Sequence, residues 1–158
     1  MKEVLIFDYD GVIVDSLPIF MKFFFEACEL YGFNDLASKE EFLKLFHGNM
    51  FDKMIEQGMS KTTILAVVNH LKQGLLKNQD KINVFPDIKS VLMELSNHFT
   101  LLISTSNETN VVRNHLESEN IDDLFANIYG SDIEPSKVKK IRLIQNEINA
   151  HKYIYIGD

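Results

Sequence analysis

The sequence predicts an α/β protein: a Rossmann-like parallel sheet core with helices on both faces, interrupted after its first strand by an inserted all-helical cap. Three observations carry this expectation. The run "VLIF" at 4–7 has the length and composition of a strand buried on both faces. From residue 84 onward, apolar strand-like runs alternate with helical patterns, the signature of a parallel sheet with helices packed on its faces. Between these two regions, over 17–83, only helical patterns recur. The expected division is a core of residues 1–16 and 84–158 and a helical insert of residues 17–83.

The elements follow in order. After "VLIF", residues 19–31 place Phe20, Phe23, Phe24, Ala27, Cys28 and Tyr31 at helical spacing. Pro18 stands near the start of that helix and Gly32 just past its end. The Phe20–Phe24 cluster reads as core of the insert rather than as a substrate box. Residues 39–58 and 61–78 read as two further helices. At "VFPDI" the texture changes, and Asp87 is placed to cap a helix running to His98. "TLLIS" at 100–104 is a strand, followed by a helix from Asn107 to Glu119. "NIY" at 127–129 is a short strand, residues 136–149 a helix, and "YIYI" at 153–156 another apolar strand.

Bulk properties narrow the function classes. The length of 158 residues suits one domain, or a core domain with an insertion. A net charge of −7 argues against a protein that coats nucleic-acid phosphates. It leaves a small anionic substrate open, because a metal ion and one lysine can reverse the sign locally. The single cysteine, Cys28, forbids an internal disulfide and reads as a buried core thiol. No apolar run approaches the roughly 18 residues of a membrane span, so no membrane partner is expected. Without a signal-peptide pattern, the expected compartment is the reducing cytoplasm.

The polar residues fall at strand ends. "VLIF" runs into Asp8, with Asp10 two residues on; "TLLIS" ends at Thr105 and Ser106; "YIYI" ends at Gly157 and Asp158. In an open α/β sheet, ligands bind outside the carboxyl ends of the strands. Asp8, Asp10, Thr105 and Asp158 are therefore expected to converge. Clustered carboxylates need a counter-charge, and a hard divalent cation such as Mg²⁺ supplies one while binding substrate phosphate. Thr105 offers a hydroxyl. The backbone N–H groups of Ser106 and Asn107 are expected to open a helix and seat a phosphate. Gly11 permits a tight turn after the acids. Together these point to a phosphoryl-transfer site with a nucleophilic carboxylate, a metal and N–H donors.

The stretch "DYDGVIVDS" is similar to D-x-D-G-x-x-x-D-S, the first motif of the haloacid dehalogenase (HAD) superfamily of phosphatases. "LLISTSN", "SKVKKI" and the opening "YIYIGD" resemble its second, third and fourth motifs, in the right order. The likeness is to the phosphoglycolate phosphatase and β-phosphoglucomutase branch, whose members carry a helical cap. It implies that Asp8 attacks phosphorus and forms an aspartyl-phosphate. Asp10 protonates the leaving oxygen and then activates water. Thr105 holds a phosphoryl oxygen, in preference to Ser104 or Ser106. Lys137 neutralises phosphate charge and Asp8, in preference to Lys139 or Lys140, which read as a solvated helix face. Mg²⁺ is implied at Asp8, at the backbone carbonyl of Asp10 and at Asp158. Asp15 and Ser16 read as caps of the first insert helix. In the insert, "LFHGNMFDKM" is similar to the branch's specificity loop, with Gly48 as its fixed point and His47 beside it.

Departures from the family pattern refine the expectation. An acid at Asp10 favours phosphate esters over haloacids. Asn49, Met50 and Phe51 stand where sugar phosphomutases carry an arginine, which favours hydrolysis over mutase activity. The fourth motif of the family continues beyond the position of Asp158, so the C-terminal part of the core is expected to be missing. The resulting expectation is a Mg²⁺-dependent phosphatase acting on a small phosphorylated metabolite. Its alternatives are a phosphomutase using the same nucleophile and a catalytically impaired fragment acting as a binding module.

Overall fold

The computed structural model describes residues 3–47 and 49–157, and the chain divides into two compact units. Gly48 and Asp158 lie outside the described residues. The first unit comprises 1–16 and 82–158, and the second comprises Leu17–Lys81. Among the described residues, no helix is long and apolar enough to cross a membrane.

The first unit is built on a four-stranded parallel sheet. Its strands are β1 (Glu3–Phe7), β4 (Thr100–Ser104), β5 (Phe125–Tyr129) and β6 (Lys152–Ile156), in the spatial order β5-β4-β1-β6. Val4 of β1 registers with Thr100 on one side and Tyr153 on the other. Central position explains composition: Val4, Leu5, Ile6 and Phe7 are all buried, because both faces of β1 are covered. On one face, helix α7 (Lys137–Glu147) packs Ile144 against Val4, Ile6, Leu102 and Tyr129. Helices α5 (Ile88–Ser96) and α6 (Thr109–Ser118) also pack on the sheet, and bury Leu92, Val112 and Leu116.

A two-stranded antiparallel ribbon joins β2 (Val14–Asp15) to β3 (Asn83–Val84). It sets side by side the points where the chain leaves the core and returns to it. Between them lie α1 (Leu17–Leu30), α2 (Lys39–Lys44), α3 (Met50–Glu56) and α4 (Lys61–Lys77). These helices bury Phe24, Cys28, Phe42, Met54, Val67 and Leu71 in a core of their own. A Cβ at Gly74 would overlap the Phe23 ring, so that glycine permits the close approach of α4 to α1.

Four local expectations are corrected. The helix expected over 39–58 is two helices. The backbone leaves the helical path after Leu45, and the Asn49 side chain starts a second helix by accepting from the N–H groups of Phe51 and Asp52. Asp87 precedes α5 but makes no side-chain cap bond, because its backbone is left-handed, with φ of 64°. Ser106 and Asn107 do not open α6, which begins at Thr109; Asp132 satisfies the Thr109 N–H at 2.7 Å. Lys140 is no part of a solvated face. It lies on the sheet side of α7 and is 1% exposed.

Candidate active site

In sequence order the chain runs β1, β4, β5 across one side of the sheet and then returns to place β6 on the other side of β1. The connection reverses beside β1, and crevices at such reversals open at the carboxyl ends of strands. Asp8 directly follows β1, Thr105 directly follows β4, and Gly157 directly follows β6.

Asp8 is buried, at 8% exposure, and both of its carboxylate oxygens are engaged. Oδ1 accepts the Tyr9 N–H at 2.8 Å. Oδ2 accepts from the Lys137 ammonium at 2.7 Å and from the Tyr155 hydroxyl at 3.2 Å. Lys137 is the first residue of α7, and Ser136 caps that helix by accepting the Lys139 N–H. Helix entry thus directs the lysine to the end of β1. Burial works against the Lys137 charge, but hydrogen bonds to Asp8 and Tyr155 outweigh it, so the amine holds its proton more tightly than a free lysine.

Asp10 follows on the turn that closes at Gly11. That glycine has φ of 74°, the left-handed region, and donates its N–H to the Val14 carbonyl at 2.9 Å. Gly11 therefore contributes the turn, and its N–H is already directed into it. Asp10 reaches solvent, yet protein atoms crowd its carboxyl. Desolvation first, and the Asp8 charge after the hydrogen bonds, push its pKa above the ordinary carboxylate value, while bonds from Ser16 and Asn107 pull the other way. The Asn107 amide donates to Asp10 Oδ2 at 2.7 Å. Ser16, the residue immediately before α1, thus also serves Asp10 through its hydroxyl. Asp15 itself lies in β2, exposed and paired with Asn83.

Thr105 is buried at 1% exposure. Its hydroxyl accepts the Asn107 N–H at 3.1 Å, so this N–H is turned toward Thr105 rather than toward a helix-opening phosphate seat. Ser106 is exposed on the same turn. Beneath the turn, the buried Lys140 ammonium donates to the Thr105 carbonyl oxygen. Desolvation lowers the Lys140 pKa, with opposing pull from Asp8, Asp132 and Glu134.

The structure brings Asp8, Asp10, Asn107, Thr105 and Lys137 to one edge of the sheet. His47 belongs to the helical unit and is exposed there. Gly48 and Asp158 fall outside the described residues. Three participants escape a linear reading: Ser16, Lys140 and Tyr155. The available signal for Tyr155 was a hydroxyl-bearing ring in an apolar strand, two residues before the Gly157 turn.

Among the described residues, no group of three or more His, Cys, Asp or Glu side chains forms a metal cluster. The donor set at the edge is nonetheless all oxygen: a charged carboxylate at Asp8 and a second carboxyl at Asp10 that feels its charge. That chemistry fits a hard divalent cation.

Comparison with known proteins gives a consistent picture. The family profile for haloacid dehalogenase-like hydrolases matches residues 5–158. No curated protein matches the chain. Among solved structures, a haloacid dehalogenase-like hydrolase from Streptococcus pneumoniae is similar at 25% identity and a TM-score of 0.78, covering 100% of this chain and 76% of that one. A protein from Lactobacillus plantarum provisionally assigned as a phosphoglycolate phosphatase aligns at 21% identity and a TM-score of 0.83, over 100% of this chain and 78% of that one. CbbY from Rhodobacter sphaeroides, solved with phosphate, aligns at 15% identity and a TM-score of 0.71, over 98% of this chain and 77% of that one.

Proposed function

Because the chain belongs to the haloacid dehalogenase-like hydrolase family, we propose that it is a Mg²⁺-dependent phosphatase that cleaves a small phosphate monoester through an aspartyl-phosphate on Asp8. The observation that carries this reading is the arrangement at Asp8. A buried carboxylate lies at the end of the central strand, fixed by a backbone N–H and by the Lys137 ammonium, with a second carboxyl of raised pKa beside it.

The two carboxyls suit different tasks. Asp8, charged and held by Lys137, is the nucleophile: its oxygen bonds to phosphorus as the ester P–O bond breaks. Asp10, whose pKa burial raises above the ordinary carboxylate value, gives its proton to the departing oxygen, which leaves as an alcohol. In the second half, Asp10 takes a proton from water as that water bonds to phosphorus. The Asp8–phosphorus bond then breaks, and inorganic phosphate leaves. The Asn107 amide orients Asp10 for both transfers, and Thr105 presents its hydroxyl to a phosphoryl oxygen. Lys137 neutralises the anion that accumulates between Asp8 and phosphate. Asp8, the Asp10 carbonyl and Asp158 are the residues to hold Mg²⁺, which when bound supplies Lewis-acid stabilisation of the phosphoryl oxygens. The helical unit Leu17–Lys81, with His47 and Gly48, serves as the cap that selects substrate. The substrate is a small phosphorylated metabolite, and the enzyme works in the cytoplasm.

The test is phosphate release from p-nitrophenyl phosphate and a panel of phosphorylated metabolites, with and without Mg²⁺. It is combined with intact-mass detection of a phosphorylated protein after acid quench. Turnover that needs Mg²⁺, and a one-phosphoryl mass increase lost in Asp8→Asn, are expected. Full activity of Asp8→Asn, or no release from any ester, overturns the reading. Product analysis separates hydrolysis from transfer to a second hydroxyl.

A further inference from the structure

A carboxylate nucleophile works only when its plane is fixed, since a small rotation about Cβ–Cγ takes the attacking lone pair off line. Two of the groups that touch Asp8 set that plane weakly. The Tyr9 N–H belongs to the adjacent residue and pins only Oδ1. Lys137 reaches Oδ2 on a flexible stem, its side chain 39% exposed, and can follow the carboxylate as readily as restrain it.

Tyr155 differs. It stands on β6, whose pairing with β1 is regular up to Phe7↔Ile156 and continues as the Asp8 N–H donates to the Ile156 carbonyl at 2.8 Å. Strand register therefore fixes the ring relative to the Asp8 backbone. The ring packs against the core cluster of Val4, Ile6 and Ile144, which leaves its hydroxyl at Oδ2. The same hydroxyl bonds the Lys137 amine, and that amine lies 5.3 Å from the ring centroid. A closed triangle results: lysine to carboxylate, lysine to phenol, phenol to carboxylate. Gly157 makes room for it, since a Cβ there would lie 2.8 Å from the Tyr155 hydroxyl and 2.9 Å from the Asp8 Cβ.

We propose that Tyr155 is a positioning residue for the Asp8 nucleophile, locking Oδ2 and the Lys137 ammonium in one geometry through its hydroxyl. The proposal rests on the phosphatase reading for its purpose and on the triangle for its geometry. The ring is a core side chain in its own right, so the hydroxyl is the part to test. Tyr155→Phe keeps the ring and its packing.

Steady-state kinetics of wild type and Tyr155→Phe on p-nitrophenyl phosphate should show kcat lowered about tenfold, KM within about twofold, and a melting temperature lowered by no more than about 4 °C. A purely structural residue predicts the opposite pattern, a larger drop in melting temperature with kcat retained. A second readout needs no turnover. With ¹³Cζ-labelled tyrosine, the resonance missing from Tyr155→Phe identifies Tyr155, and Asp8→Asn should move it because the carboxylate charge beside the phenol is gone. Wild-type kcat in Tyr155→Phe, or a resonance that Asp8→Asn leaves in place, overturns the proposal. An inactive wild type whose resonance still moves removes the phosphatase reading while the contact stands, so the two failures are distinguishable.

Discussion

Replacing Tyr9 by Phe deletes one hydroxyl from the junction between β1 and the turn that carries the two acids. Tyr9 is 3% exposed, and its hydroxyl hydrogen-bonds Nδ1 of His115 on α6, itself 8% exposed. The rings also meet edge to face, with centroids 6.1 Å apart, and that contact survives in the variant. What is lost is one buried hydrogen bond, and a ring nitrogen is left without its partner. Removing one member of such a pair costs about 1–3 kcal/mol. For a chain of this size that lowers Tm by about 2–12 °C. Urea denaturation of wild type, Tyr9→Phe, His115→Leu and the double variant gives the coupling directly. About 1 kcal/mol or more is expected between residues that touch. The same melts at alkaline pH add a sign test. Burial, then the charge on Asp10, raise the folded Tyr9 pKa above its ordinary value of 10.0. Below pH 10 both states keep the proton and no pH dependence arises from this group. Above it only the unfolded chain ionises, so wild-type stability falls by about 1.4 kcal/mol per unit until the folded pKa is reached. Tyr9→Phe loses that part of the slope. A destabilisation below about 0.5 kcal/mol, together with additive double-variant energies and an unaltered alkaline slope, refutes the reasoning.

Asp10→Asn removes the acid and base together, and kcat should fall by about 10²–10⁴-fold, measured by phosphate release. Cys28 is fully buried, and burial followed by the charge of Glu29 pushes its thiol up to about 11. Ellman's reagent at pH 8 should therefore label the native protein only as fast as it unfolds, and rapid stoichiometric labelling contradicts the buried placement. Gly157→Ala forces a Cβ within 2.8 Å of Tyr155 and 2.9 Å of the Asp8 Cβ. Overpacking there should cost about 1–3 kcal/mol by denaturation and lower kcat as well, and a neutral substitution means that Tyr155 is elsewhere.

The parts of the fold that the sequence announces are those where burial overrides everything else. β1 and β4 read as strands because a parallel central strand, covered on both faces, must be apolar throughout, whereas β6, half-buried at the end of the strand order, shows itself only by its short apolar run. Their shared polar ends follow from topology, so Asp8, Asp10 and Thr105 could be grouped without coordinates. Breaks in periodicity were harder. The gap between α2 and α3 depends on Asn49 accepting two backbone N–H groups, a local competition that apolar spacing does not register. The burial of Lys140 is hidden because a lysine in a lysine-rich helix looks solvated. Its burial depends on a carbonyl at Thr105, 35 positions away in sequence. Tyr9 with His115, and Tyr155 with Asp8, are 106 and 147 positions apart, and such pairs become visible only when the sheet is assembled.

The position of β1 has a consequence for the order in which the molecule forms. The helical unit is one continuous stretch, Leu17–Lys81, so its contacts close over short loops. β1 pairs with Thr100 and Tyr153, both far from it along the chain, so its pairings close long loops. Short-range contacts form quickly and long-range strand pairing slowly. Helical signal therefore returns early in refolding, while the edge bearing Asp8 acquires its second flank when β6 docks. The edge bearing Asp8 is therefore complete on both flanks only once β6 has paired with β1.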